Sequence, residues 1–468
     1  MTIESLVNNV EMATVLKKIV ADKVTWIATR KEAQPLSTFK MQLTPSDRSF
    51  YSALTQQSSV FILECKKASP SKGLIRDDFD PVAIAKIYNT HANAISVLTD
   101  EKYFQGSFDF LPRVKAHCQQ PILCKDFIID EYQIYLARYY QADAILLMLS
   151  ILSDDEYRYL SDIAHRLNMG VLTEASTQQE VERAIALNAK VIGINNRDLR
   201  DLSVDLNRVK QLAPQIPDDR IVISESGIHT HPHILELSQY ADGFLIGSAL
   251  MAEDNLELAI RKIMLGENKV CGLTKKEDAA AAYRAGAVYG GLIFVTHSPR
   301  YIQPIKARSV LSAAKLNWVG VFKDEDIEDV AHVAQSLNLY AVQLHGNEDD
   351  HYLAQLRQRL PKCCQIWQAL SINEYIPEHN NPLVSRYIFD HGTGGSGIPF
   401  DWQLLANQKC DHVILAGGIN PQNAEHAIQT GVAGLDINSG VEISPGIKDH
   451  NKIEQVFAIL RHYPYSRT

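Results

Sequence analysis

From residue 60 onward, short apolar runs rich in β-branched residues alternate with stretches whose apolar positions recur every three or four residues. The first pattern reads as buried strand and the second as amphipathic helix. Strands are expected at VFILECK (60–66), AISVLTD (94–100), ILCKDF (122–127), AILLMLS (144–150), VLTEAS (171–176), VIGINN (191–196), IVISESG (221–227) and GFLIGS (243–248). A second series follows at KVCGLT (269–274), YGGLIFV (289–295), WVGVF (318–322), AVQLHG (341–346), QIWQAL (365–370), RYIFD (386–390), HVILAGG (412–418) and GLDINS (434–439). Successive starts lie 20 to 34 residues apart, which leaves room for one helix and describes consecutive right-handed βαβ crossovers. Eight such units close a (β/α)₈ barrel, whereas an open doubly wound sheet more usually has about five or six strands. The expected fold class is α/β, two tandem (β/α)8 TIM barrels. Residues 1–59 lack strand-like runs, and LVNNVEMATVLKKIVADKVTWI (6–27) has helical spacing, so the first barrel gains an N-terminal helical extension.

The two halves echo each other. SESGI (224–228) is followed by Gly247-Ser248, and AGGI (416–419) by Asn438-Ser439; Gly227 to Ser248 and Gly418 to Ser439 both span 21 positions. In a barrel these are the loops after strands seven and eight, where backbone N–H groups and a helix start form a phosphate site. Shared turn geometry alone would also place glycine there. DNLELAIRKIML (254–265) reads as the last helix of the first half, with Asp254 as N-cap, Glu257 at the capping-box position and Gly266 as terminator. The expected domains are therefore 1–265 and 266–468 with no flexible linker.

The 468 residues suffice for two such barrels, and a formal charge of −9 argues against nucleic-acid or anionic-membrane partners. Anionic ligands must then be held by local donors. The seven cysteines form an odd, irregular set, which fits a reducing, cytoplasmic compartment. No leader peptide and no apolar stretch of membrane-spanning length is expected.

Chemistry in this fold sits at the C-terminal rim, above apolar interior layers, so charged residues at strand ends stand out. In the first half these are Glu64 and Lys66 on one face of strand one, Lys125, Glu174, Asn195, and Glu225 with Ser226. A structural ion pair between Glu64 and Lys66 is the plainer reading of those two. In the second half they are Cys271, Arg300, His345 and Asp390; a lone strand cysteine is usually a small buried hydrophobe, but Cys271 would face Asp390 across a barrel. Gly392-Thr-Gly394-Gly395-Ser-Gly397 satisfies G-x-G-x-x-G, yet Pro399 follows and no long helix begins, so an anion-binding nest or a lid fits better than a dinucleotide site.

FILECKKASPSKG (61–73), SVLTDEKYFQGS (96–107), ILCKDFIID (122–130), LTEAS (172–176), GINNRDL (193–199), ISESGI (223–228) and LIGSALM (245–251) resemble indole-3-glycerol-phosphate synthase over nearly all of residues 1–265. VCGLT (270–274), SPRYI (298–302), VQLHGNE (342–348), FDHGTGGSG (389–397), LAGGINPQN (415–423) and GLDINSGVE (434–442) resemble phosphoribosylanthranilate isomerase over the rest. The whole resembles the fused two-activity enzymes of bacterial tryptophan biosynthesis. That resemblance implies that the C-terminal barrel isomerises N-(5-phosphoribosyl)anthranilate by an Amadori rearrangement, and that the N-terminal barrel closes the indole ring with loss of CO₂ and water. It implies Asp390 as acid for ribose opening, Cys271 as base for the C2 proton, and Arg300 as holder of the anthranilate carboxylate. For ring closure it implies Lys125 as general acid, Lys66 as carboxylate partner and Glu174 as base. Glu64, Ser69, Phe127, Asn195, Arg197, Glu225, Ser226 and His345 carry over as substrate-binding positions. Gly227, Gly247, Ser248, Gly394, Gly395, Gly417, Gly418, Asn438 and Ser439 carry over as phosphate-binding ones. Many such isomerases read Ser-Ser-Gly where this chain has Asn438-Ser439-Gly440, so backbone rather than side-chain contact is expected at 438. No cofactor and no metal are called for, and a cytoplasmic monomer acting on small phosphorylated anthranilate derivatives is expected. Two other readings stay open: Lys125 as a Schiff-base nucleophile of an aldolase-like lyase, and a catalytically dead sugar-phosphate sensor that keeps both phosphate loops.

Overall fold

The computed structural model describes residues 14–55, 58–198, 201–392, 397, 399–406 and 408–461. It contains two compact units, one of residues 14–229 with 236–259, the other of 230–235 with 260–461.

The first unit is a closed barrel of eight parallel strands. They are β1 (Val60–Cys65), β2 (Ala94–Leu98), β3 (Ile122–Lys125), β4 (Ala144–Met148), β5 (Gly170–Ala175), β6 (Val191–Asn195), β7 (Ile221–Glu225) and β8 (Gly243–Ile246). The second unit closes in the same way. Its strands are β9 (Lys269–Val270), β10 (Tyr289–Ile293), β11 (Asn317–Phe322), β12 (Ala341–Leu344), β13 (Gln365–Ile372), β14 (Arg386–His391), β15 (Val413–Leu415) and β16 (Gly434–Ile437). Every expected strand is present. Parallel strands covered on both faces are largely apolar, which is why each shows as a nearly continuous run. Several end sooner than the pattern suggested, because the chain turns at the rim with positive φ: Gly272 at 68° after β9, and Gly417 and Gly418 at 93° and 66° after β15.

Helices follow their local signals. In Asp154–Arg166 the Ser153 hydroxyl accepts the Glu156 N–H while the Glu156 carboxylate accepts the Ser153 N–H, and Tyr157, Leu160, Ile163 and Ala164 form the buried stripe. One cap differs from expectation. The helix Leu256–Leu265 is capped by Asn255, whose side chain accepts the Leu258 N–H, not by Asp254. The Glu257 carboxylate contacts His91 Nε2 at 3.1 Å.

The N-terminal extension is helical, with α1 at Thr14–Ala33 burying Leu16, Ile19, Val20 and Ile27; the expected helical residues before 14 lie outside those described. Lys23 on α1 is buried between Asp100, after β2, and Asp126, after β3, with Nζ 2.7 Å from a carboxylate oxygen of each. Lys23→Met should therefore lower the stability of the first unit by roughly 3–5 kcal/mol, since two buried carboxylates would lose their partner. Urea unfolding measures this; an unchanged midpoint would show that Lys23 does not secure α1.

Candidate active sites

At the mouth of the first barrel, strand register brings five polar ends together. Glu64 lies beside Ser96, Asn195 beside Glu225, and Glu174 beside Gly193. Lys125 reaches into their midst, its Nζ 3.3 Å from Glu225, 3.8 Å from Glu174 and 4.0 Å from Glu64. Lys66 sits 2.5 Å from the other Glu64 oxygen and donates to Ser248 Oγ at 3.4 Å, so the plain ion pair exists, but inside the cleft. Asn195 donates to Glu174 at 3.1 Å and accepts the Arg197 N–H at 3.0 Å, which orients both neighbours.

These contacts set the charge states. Burial pulls the Lys125 ammonium down, but Glu225, Glu64 and Glu174 more than offset it and hold the lysine above its usual range. Burial pushes Glu225 up to about 7, Lys125 acting against it and Glu174 with it. Glu64 ends below its ordinary value because Lys66 and Lys125 outweigh its burial. Folded Glu225 therefore binds a proton between its unfolded value of 4.5 and about 7, and that contribution to stability is lost as pH rises through this window. Glu225→Gln, neutral throughout, should flatten the fall in unfolding free energy from pH 5 to 7; an unaltered slope in urea titrations would contradict the assignment.

The cleft gathers Glu64, Lys66, Ser69, Lys125, Phe127, Glu174, Asn195, Arg197, Glu225, Ser226, Gly227, Gly247 and Ser248, every first-half residue singled out from sequence. Sequence reasoning missed its roof, where α1 contributes Val15, Leu16 and Ile19. It also missed why two glycines are needed: a Cβ at Gly193 would lie 1.9 Å from Glu225 Oε1, and one at Gly247 2.3 Å from Glu64 Oε1.

The second cleft is lined by Cys271, Arg300, His345, Asp390, Gly417, Gly418, Asn438 and Ser439. Gly394 and Gly395 lie outside the described residues, while Gly397, from the same glycine-rich segment, lines the cleft. Asp390 accepts the His391 N–H at 2.8 Å. Burial, reinforced by Lys269, pushes His345 down to about 4, so it is neutral at pH 7. The two halves match in backbone as well as in sequence: Ser226 and Gly227 have φ of 67° and 79° where Gly417 and Gly418 have 93° and 66°. Asn438 Oδ1 accepts a hydrogen bond from Lys448 Nζ at 2.8 Å. Two features went unread in the sequence. Arg300 is gripped by Glu442, with Nε 3.0 and 3.1 Å from its two oxygens and Nη2 2.8 Å from Oε2. Lys269 is buried on Asp436 at 2.7 Å. The useful signal was a charge two residues before Cys271, at the start of a strand rather than at its C-terminal end.

All seven cysteines are free thiols, and among the described residues no cluster of His, Cys, Asp and Glu is arranged to hold a metal ion. Among the same residues no helix is long and apolar enough to cross a membrane.

A family model described as indole-3-glycerol phosphate synthase matches residues 16–263, and one described as N-(5'phosphoribosyl)anthranilate (PRA) isomerase matches residues 268–458. The chain is 62% identical over 450 residues to a tryptophan biosynthesis protein TrpCF of Yersinia pestis, covering 96% of this chain and 95% of that one. It is 62% identical over 452 residues to its counterpart from Salmonella typhi, covering 97% and 100%. The Vibrio cholerae counterpart is 56% identical over 461 residues, covering 98% of each.

Proposed function

The chain belongs to the indole-3-glycerol phosphate synthase family in its first barrel and to the PRA isomerase family in its second, and from that premise we propose how its two clefts divide the chemistry. It is a bifunctional enzyme of tryptophan biosynthesis. The second barrel converts N-(5-phosphoribosyl)anthranilate to 1-(2-carboxyphenylamino)-1-deoxyribulose 5-phosphate, and the first converts that product to indole-3-glycerol phosphate with loss of CO₂ and water. Domain order along the chain is the reverse of reaction order, with residues 1–265 assigned to the synthase and 266–468 to the isomerase.

In the synthase, the phosphate is held by the backbone at Ser226-Gly227 and Gly247-Ser248, and the anthranilate ring lies against Phe127 under α1. Lys66 pairs with the substrate carboxylate until it leaves as CO₂. Lys125 protonates the ketone oxygen as the ring closes, and Glu174, oriented by Asn195, takes the proton whose loss completes dehydration. Glu225 and Glu64 help keep Lys125 charged and Glu64 pairs with Lys66, with Ser69 and Arg197 closing round the substrate. In the isomerase, Gly394, Gly395, Gly417, Gly418, Asn438 and Ser439 hold the phosphate through their backbone, and Arg300 holds the carboxylate. Asp390 protonates the ribose ring oxygen, Cys271 removes the C2 proton, and neutral His345 supplies a hydrogen bond without adding charge. Neither sequence of proton transfers calls for a cofactor or a metal. The enzyme acts as a cytoplasmic monomer on small phosphorylated anthranilates, and its charge of −9 disfavours nucleic acid or a membrane surface as a partner.

The observation that carries the synthase assignment is the ring of three carboxylates around Lys125. A Schiff-base lysine must lose its proton to attack a carbonyl, and its pKa is lowered for that purpose; this one is raised. Assaying each half-reaction on the purified chain tests the proposal. Both activities are expected, and borohydride should trap no substrate adduct. A trapped adduct at Lys125 would restore the aldolase-like reading, and absence of both activities would restore the sensor.

A further inference from the structure

Lys269 has no part in the isomerisation as assigned above, yet it is fully buried on β9, in a barrel interior that apolar side chains normally fill. Its ammonium lies 2.7 Å from Asp436, its register partner on β16. Buried pairs of this kind can often be replaced by apolar residues without loss of stability, so folding alone is a weak reason for one here. Two observations tie the pair to Cys271. Gly291 on the neighbouring β10 leaves a notch that both residues fill: a Cβ there would lie 2.7 Å from Cys271 Sγ and 2.8 Å from Lys269 Cε. Asp436 also lines the cleft that holds Cys271; its Oδ1 is buried without a hydrogen-bond partner among the described residues, while its Oδ2 accepts from the lysine.

We infer that Lys269 is a positioning residue of the isomerase, whose ammonium, fixed by Asp436, stabilises the thiolate form of Cys271. The inference rests on the reading of Cys271 as the base that accepts the C2 proton. Burial pushes the Cys271 thiol up and Lys269 acts most strongly against it, while Asp436 again raises it and Lys448 lowers it. The other charged or titratable groups around the cleft are Arg300, Lys323, His345 and Asp390. Of these His345 is neutral, Lys323 is exposed to solvent, and Arg300 is bound by Glu442, as is Lys448 outside that set. Lys269 is thus the cation placed to answer a negative sulfur.

The test is the pH profile of Cys271 alkylation by iodoacetamide in the full chain, read by mass spectrometry of the Cys271 peptide. In Lys269→Met the midpoint should move up by about one pH unit or more, so that alkylation at pH 7 slows about tenfold. The acid limb of isomerase kcat/KM should move with it while synthase activity stays unchanged, and Lys269→Arg should restore both profiles. An unmoved alkylation midpoint in the folded variant overturns the inference. A moved midpoint with an unmoved kcat/KM limb supports the charge pairing and instead overturns the role of Cys271 as base. Should the lone substitution prevent folding, Lys269→Met with Asp436→Asn removes the unpaired carboxylate, and the midpoint should still rise; a midpoint at the wild-type value overturns the inference there too.

Discussion

Lys125→Met is expected to lower synthase kcat by about 10²–10⁴-fold, the usual contribution of a general acid, and to leave isomerase turnover at the wild-type level. Methionine keeps roughly the volume and the apolar stem of the lysine, so packing beneath the cleft is conserved while the transferable proton and the charge are lost. The loss is electrostatic as well as chemical. With the ammonium 3.3 to 4.0 Å from three carboxylates, its removal leaves Glu225, Glu174 and Glu64 to repel one another, and Glu225 will retain its proton to higher pH. Part of the damage should therefore recede at lower pH, where Glu225 is neutral, but the missing acid should not return. Measuring the two half-reactions separately over pH 5.5 to 8.5 distinguishes these effects. Synthase kcat above about a tenth of wild type at its best pH would rule out an obligatory proton donor at position 125.

How much of this was legible in the sequence follows from what each residue needs in order to be recognised. Parallel barrel strands need only a continuous apolar run, so all sixteen could be placed, and a lysine or glutamate at the end of such a run contrasts with what precedes it. The thirteen first-half positions now found in one cleft were visible for that reason, or through the family resemblance. Strand ends were less legible because Gly272, Gly417 and Gly418 continue an apolar pattern while turning the backbone out of the sheet. The cap of the helix Leu256–Leu265 was misplaced because Asp254 and Asn255 are both good caps, and local pattern cannot choose between adjacent candidates. Pairs distant in sequence were not legible at all. Lys269 and Asp436 are separated by 167 positions and Arg300 and Glu442 by 142, and a charged residue reads as exposed until its partner is known. The same holds for α1: its amphipathic pattern shows that one face is covered, not that the face lies over a catalytic cleft.

Cys271→Ala and Asp390→Asn should give the opposite pattern to Lys125→Met, with isomerase kcat reduced by about 10²-fold or more and synthase activity on supplied intermediate unchanged. Neither substitution should disturb the fold much. Asparagine keeps the carbonyl oxygen that accepts the His391 N–H at 2.8 Å, and alanine removes only the sulfur from the notch beside Gly291. The assigned roles make a finer distinction possible, because the two residues serve different steps. Asp390 acts before the C2–H bond breaks, in opening the ribose, whereas Cys271 breaks that bond. With substrate deuterated at C2, Asp390→Asn should show a smaller isotope effect on kcat than wild type, since ring opening becomes limiting and hides the later step. Cys271→Ala should show a larger one, since proton abstraction becomes limiting. The double variant should lose less than the product of the two single losses, because once one step limits turnover, slowing the other adds little. Near-normal isomerase turnover in either single variant would remove that residue from its role, and isotope effects shifted in the opposite directions would exchange the steps assigned to Asp390 and Cys271.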